Sequence, residues 1–263
     1  MSIWWLVAIP VLLGTHFLLH GIRVEREIKR CRYGKALKML DGPLGWSKVS
    51  LMRLLRADAL FFSGRAAEAE PILRELVKPA HDAADRLMGS ERLGRVLLAL
   101  GRYEDAREAF ETAAELRPTR SAAFSGLAEV RLRQGADPLE ALADAERALE
   151  NHRTARTESA SRERLASIRG NQAWALAVLG RNAGAEEAIQ AGRDEMDPEY
   201  RPEAAGFYWR AGMAMLAIQN ASEAAGIPMR ARQESSAAAA YFRQAAELDP
   251  HGYYGGLAAE HLQ

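Results

Sequence analysis

The chain has 263 residues and a mass of 28.9 kDa, room for one large domain or two small ones with a real core. Lys+Arg and Asp+Glu number 35 each, so the basic surplus of a chain built to hold nucleic acid is missing. Hydrophobic residues at 48% with 27% charged exclude global disorder, and a single cysteine, Cys31, excludes an internal disulfide framework or a cysteine-rich zinc module.

Residues 3–22 contain no Asp, Glu, Lys or Arg. At about 1.5 Å per residue they reach roughly 30 Å, the thickness of a bilayer core. Trp4 and Trp5 stand where interfacial aromatics belong, and Arg23, Arg26, Lys29, Arg30, Arg32, Lys35 and Lys38 follow the run. The pattern predicts one transmembrane anchor over residues 1–22, contacting the lipid bilayer through residues 3–22. The basic flank places the rest of the chain in the cytoplasm, and five lysines against 30 arginines, with abundant alanine, resemble the coding bias of a GC-rich bacterium, so the expected membrane is a bacterial inner membrane. A cleaved signal peptide and a helix covering the chain's own core stay open beside it, since Pro10, His16 and His20 weaken a span. Residues 23–44 form a basic juxtamembrane segment in which Tyr33, Ala36 and Leu40 make half of a helix hairpin.

From residue 45 onward alternating strand patterns are missing, and Ala, Leu, Arg and Glu recur at helical spacing with Gly or Pro between segments. The clearest unit carries Leu93, Gly94, Leu97, Gly101, Tyr103, Ala106, Phe110, Ala113 and Pro118. Leu93, Leu97, Ala106 and Phe110 make an apolar stripe, Gly94 and Ala113 admit close helix approach, and Pro118 ends the second helix. This spacing resembles the tetratricopeptide repeat, a 34-residue helix–turn–helix unit. Further copies follow: Phe124 to Ala148, Ala173 to Pro198, and Tyr208 to Pro250, with a degenerate one around Leu60 to Leu73. His251 to Gln263 is predicted to be a closing helix packed through Tyr253, Tyr254 and Leu257. The resemblance implies an all-α, right-handed superhelical solenoid over residues 45–263.

Turn glycines fall at 64, 101, 135 and 180, and the matching place in the last repeat is near Gln219. Two stretches exceed the repeat length. Residues 151–164 are polar and either lengthen helices or form a solvated loop. Residues 220–233, with Gly226 and Pro228 as helix breakers, are either a connector or a flap beside the binding surface.

No HExxH, GxxxxGK[ST], GxSxG or GxGxxG occurs, the six histidines are scattered, and Cys31 has no catalytic partner in sequence. The expectation is a non-enzyme without cofactor, metal or catalytic residues. In the tetratricopeptide family the first helix of each pair lines a concave groove for a protein or peptide ligand. The resemblance puts Leu54, Asp58, Phe61, Glu91, Arg92, Arg95, Ser125, Glu129, Asn171, Trp174, Trp209, Arg210 and Met213 on that face. Of these, Arg92, Arg95, Glu129, Asn171, Trp174, Trp209, Arg210 and Met213 are the expected binding set. The resulting expectation is a membrane-anchored adaptor. A membrane-associated enzyme and a self-assembling structural protein are the other two readings.

Overall fold

The computed structural model describes residues 4–41, 49–154 and 162–263, with the side chains of residues 4–14, 16, 17, 162 and 163 left out. Among the described residues all regular structure is helical. The helices run α1 (Trp4–Lys29), α2 (Tyr33–Leu40), α3 (Ser50–Phe62), α4 (Ala66–Leu76), α5 (Ala83–Ala99), α6 (Tyr103–Leu116) and α7 (Ser121–Gln134). They continue as α8 (Pro138–Thr154), α9 (Arg162–Val178), α10 (Asn182–Glu195), α11 (Arg201–Ala224), α12 (Pro228–Leu248) and α13 (Tyr253–Glu260). Successive pairs from α3/α4 to α11/α12 are hairpins, each packed on the next. No hairpin buries its own apolar face, so the core runs continuously through the stack.

The hairpin turns have one chemistry. Gly64, Gly101, Gly135, Gly180 and Gly226 all adopt positive φ, between +63° and +75°, just past the first helix. The left-handed residue lets the next N–H reach back to a helix carbonyl, as Arg102 N does to Leu97 O and Arg181 N to Leu176 O, each at 2.9 Å. Cys31 takes the same position after α1 at φ +57°, with Arg32 N donating to Glu27 O at 2.8 Å.

The over-long stretch 220–233 is absorbed mainly by helices. The last turn is made by Gly226 rather than near Gln219: residues 220–224 extend α11 and Pro228 opens α12. Of the two readings of this stretch, connector or flap, the structure gives a lengthened hairpin with Ile227 and Met229 exposed at its tip. In the other stretch α8 continues to Thr154 and α9 begins at Arg162, with residues 155–161 outside the described ones.

The N-terminal expectation needs correction. Among the described residues, no helix is long and apolar enough to cross a membrane. Helix α1 runs through the expected boundary at residue 22, and its C-terminal part belongs to the solenoid. Gly21 lies against Leu51, Met52 and Leu55, Val24 and Ile28 are fully buried, and His20 Nε2 lies 3.0 Å from Met39 O. These residues are packed in protein and are unavailable to lipid. Trp4 and Trp5, expected as interfacial anchors, have side chains outside the described ones.

The two ends of the solenoid meet. Tyr33 donates to Asp249 Oδ2 at 2.6 Å, Lys29 lies over the Tyr200 ring, and α13 crosses from α11 and α12 to α3. Burial raises the Asp249 pKa, against the lowering influence of the Tyr33 and Cys31 donors. A carboxyl raised in the folded state stabilises fully below its unfolded value of about 3.8, and that contribution is lost as pH rises through the folded value. Asp249→Asn keeps an acceptor for Tyr33 and removes the buried charge. It is expected to raise the urea midpoint at pH 7 and to flatten its pH dependence above pH 3.8. Tyr33→Phe leaves the buried carboxylate with the weak Cys31 thiol as its side-chain donor and is expected to cost ~1–3 kcal/mol in the same urea titration. The reverse order of the two variants would contradict this assignment.

Candidate functional site

The curved stack turns its first helices inward, and their polar residues meet around a cavity of about 150 Å³. Asp58 comes from α3, Glu91, Arg92 and Arg95 from α5, and Ser125 and Glu129 from α7. Ser167 comes from α9, Glu203 and Arg210 from α11, and Tyr254 from α13. Each residue sits on the inner face of its helix because residues three, four or seven apart share a face.

Ion pairs cross between helices throughout. Arg92 Nε donates to both Asp58 oxygens at 3.0 Å, and Arg95 joins Asp58 to Glu203, each at 3.2 Å. Ser167 donates to the other Glu203 oxygen at 3.2 Å. Arg210 Nη2 donates to Glu129 Oε2 at 2.5 Å and to Tyr254 OH at 2.9 Å. Arg133 holds Glu129 Oε1 at 2.8 Å and stacks on Trp209, 4.4 Å from its ring centroid. Arg120 pairs with Glu91. Thus α3, α5, α7, α11 and α13 are linked by charge as well as by packing.

Burial alone would disfavour these charges, and the pairing overrides it. Burial raises the Glu129 pKa, but Arg210 and Arg133 outweigh it and hold the carboxyl below the usual range. Burial likewise works against the Arg95 and Arg210 cations. Asp58 and Glu203 around Arg95, and Glu129 with Tyr254 around Arg210, keep both above the ordinary arginine value. Burial pushes the Tyr254 hydroxyl up, so at neutral pH it remains a neutral phenol.

The expected binding residues divide into two groups. Arg92, Arg95, Glu129 and Arg210 converge on the cavity wall. Asn171 is buried behind it, donating to Ser125 O at 2.9 Å. Trp174 and Trp209 meet edge to face at 5.5 Å, are 6% and 4% exposed, and contribute to the core. Met213 is half-buried against that core. The wall residues missing from the expectation include Glu203, Tyr200, Ser167 and Tyr254. Glu203 carried a usable signal, because it lies seven residues before Arg210 on one helix face.

Cys31 is remote from this site. Its thiol lies 3.6 Å from Leu248 O, and burial pushes its pKa up to about 12, so it stays a protonated thiol at neutral pH. Among the described residues, no group of three or more His, Cys, Asp and Glu is placed to hold a metal ion.

A family model described as tetratricopeptide repeat matches residues 91–156, from the middle of α5 past the end of α8. Among solved structures, the chain is similar to one in the crystal structure of the APC/C hetero-tetramer Cut9–Hcn1. The identity is 14%, the match covers 91% of this chain and 54% of that one, and the TM-score is 0.46. It is also similar to the human IFIT1 dimer with m7Gppp-AAAA, at 18% identity, 94% and 68% coverage and a TM-score of 0.40. The chain therefore spans about half the length of the first of these. A search of the curated proteins finds no match. Among the described residues the fold is an all-helical stack of hairpins, and the tetratricopeptide match falls on the hairpins α5/α6 and α7/α8 within it.

Proposed function

We propose that the protein is a scaffold that binds a protein or peptide partner on its concave side and recruits it to a membrane. The observation that carries the reading is the ring of inward-facing polar residues contributed by successive hairpins, with Arg92 and Arg95 half-buried at its rim. A partner's backbone and charged groups find donors and acceptors there that the fold holds rigid. Rigid presentation lowers the ordering cost of association. The reading assigns no reaction to the chain.

Membrane attachment is supported by sequence and exposure together. Residues 3–22 are uncharged, a cationic stretch follows, and Leu18, Leu19 and Ile22 stand 57%, 51% and 45% exposed on α1. Attachment to a bacterial inner membrane would confine the concave surface near membrane-bound partners and raise its effective concentration there.

The test uses the full chain as bait on native membranes, beside an Arg92→Ala, Met213→Ala double variant. Loss of the same specific proteins from the variant, with helical circular dichroism retained, is the expected outcome. Identical captures by both would place the interface on another surface. Flotation with vesicles should separate the full chain from one lacking residues 2–16; equal flotation removes the attachment.

A further inference from the structure

Charge is distributed unevenly along a chain that is neutral as a whole. Residues 23–40 hold seven of its 35 cations and two of its 35 carboxylates, so the remainder carries a matching acidic surplus. The basic excess lies on α1 and α2, where α1 also shows apolar residues to solvent. Leu18, Ile22, Arg26 and Arg30 follow at four-residue intervals along one stripe of α1, and all four are exposed. Leu19 is exposed beside them. Apolar residues thus occupy the N-terminal half of the stripe and cations the C-terminal half. Successive members stand about 6 Å apart along the helix, the scale on which a bilayer passes from hydrocarbon to headgroup.

The cationic half borders an open cleft of about 450 Å³. Ile22, Arg26, Lys29 and Arg30 line it from α1, and Arg201 joins them from the start of α11. Glu25 and Glu199 share the cleft, which still leaves cations in excess there. Glu25 pairs with Lys29 at 3.4 Å, and Glu27 pairs with Arg32 and Lys35. Arg26 and Arg30 make no side-chain hydrogen bond or ion pair among the described residues. The volume is many times the ~30 Å³ of a water molecule and admits a phosphate with its alcohol substituent. A nucleic acid would engage the cations and leave Leu18, Leu19 and Ile22 wet, whereas an apolar protein surface would leave the cations unused. An anionic phospholipid engages both, in the order in which they stand.

We propose that this cleft is a binding site for the headgroup of an anionic phospholipid. Arg26, Arg30 and Arg201 meet its phosphate, and its acyl chains run along Ile22, Leu19 and Leu18. The proposal rests on the membrane-attachment reading and specifies the lipid that attachment selects. The acidic remainder of the chain is repelled by the same anionic surface, which turns the α1 end toward the bilayer.

The test is flotation of the full chain with two kinds of vesicle, at low and high salt. One is phosphatidylcholine alone; the other is phosphatidylcholine and phosphatidylglycerol in equal parts. Tighter binding to the anionic vesicles, weakened by salt, is the expected result. Arg26→Gln combined with Arg30→Gln should weaken that binding by about thirtyfold, at about fivefold for each cation, and leave neutral vesicles unaffected. Both side chains are exposed, so the variant should fold, and helical circular dichroism checks that it does. Arg201→Gln should lose about fivefold on anionic vesicles although it lies far from α1 in sequence. No loss in Arg201→Gln overturns the cleft, as does an unchanged lipid preference in the double variant. Equal binding of the unaltered chain to both vesicles overturns the headgroup site and leaves attachment standing. Binding to neither overturns attachment and site together. Saturable binding of inorganic phosphate without any lipid preference assigns the cleft to a soluble anion and overturns the lipid.

Discussion

Glu129→Ala is expected to lower stability by about 3–5 kcal/mol, the effect of stripping one partner from a buried ionic cluster. Glu129 is 6% exposed and pairs at once with Arg210 and Arg133. Its removal leaves Arg210, 4% exposed, with only Tyr254 OH, and Arg133 with Tyr253 OH. Arg210→Met should cost less, ~1–3 kcal/mol, because Glu129 then keeps Arg133. Urea titrations at pH 7 decide between them, and equal losses would mean that the cluster is not a shared network. The same carboxyl sets an acid limit. Its folded pKa lies below the unfolded value of about 4.5, so its contribution is complete above that value. The contribution disappears as pH falls through the folded pKa. Glu129→Gln should therefore start from lower stability at neutral pH and lose less than the unaltered chain on acidification. A parallel loss in both would assign the acid sensitivity to other carboxyls.

Hairpin positions were legible because each turn has a local signature. Gly64, Gly101, Gly135 and Gly180 punctuate helical stripes, and Pro118 terminates one. The family resemblance put Arg92, Arg95, Glu129 and Arg210 on the inner face of first helices, but not their meeting around one cavity, which depends on how the stack curves. What escaped were contacts made across the curve. Tyr33 meets Asp249, and Phe61 meets Tyr253 and Tyr254, through single residues nearly two hundred or more positions apart. No periodic pattern encodes such pairs. The N-terminal run was ambiguous for a different reason: a uniformly apolar stretch has no face, so lipid and protein burial look alike in it. The last turn shifted to Gly226 because the extra residues lengthen both antiparallel helices together, which leaves their pairing intact. Trp174 and Trp209 show the remaining limit. A tryptophan at helical spacing serves core or groove according to one residue of register, and here both serve the core.

The small residues of the clearest repeat lead to the second large effect. Gly94 was expected simply to admit a neighbouring helix, but it and Gly126 on α7 both face the ring of Phe110. A Cβ on Gly94 would lie 2.7 Å from that ring, and one on Gly126 only 2.3 Å. Phe110 is 2% exposed and clamped between α5 and α7, so it has nowhere to move. Two opposing effects then compete in Gly126→Ala. Helix propensity favours alanine by about 1 kcal/mol, whereas forcing a ring out of a packed core costs ~1–3 kcal/mol. Because the neighbour is constrained from both sides, the steric term should win and the variant should be less stable. Phe110→Ala should cost about 3–5 kcal/mol through the cavity it leaves. Combining Gly126→Ala with Phe110→Leu should cost less than the two changes measured separately, since the smaller side chain vacates the space the new methyl needs. Urea unfolding of the three variants tests the mechanism directly. A Gly126→Ala chain more stable by about 1 kcal/mol would show helix propensity prevailing and the ring free to yield.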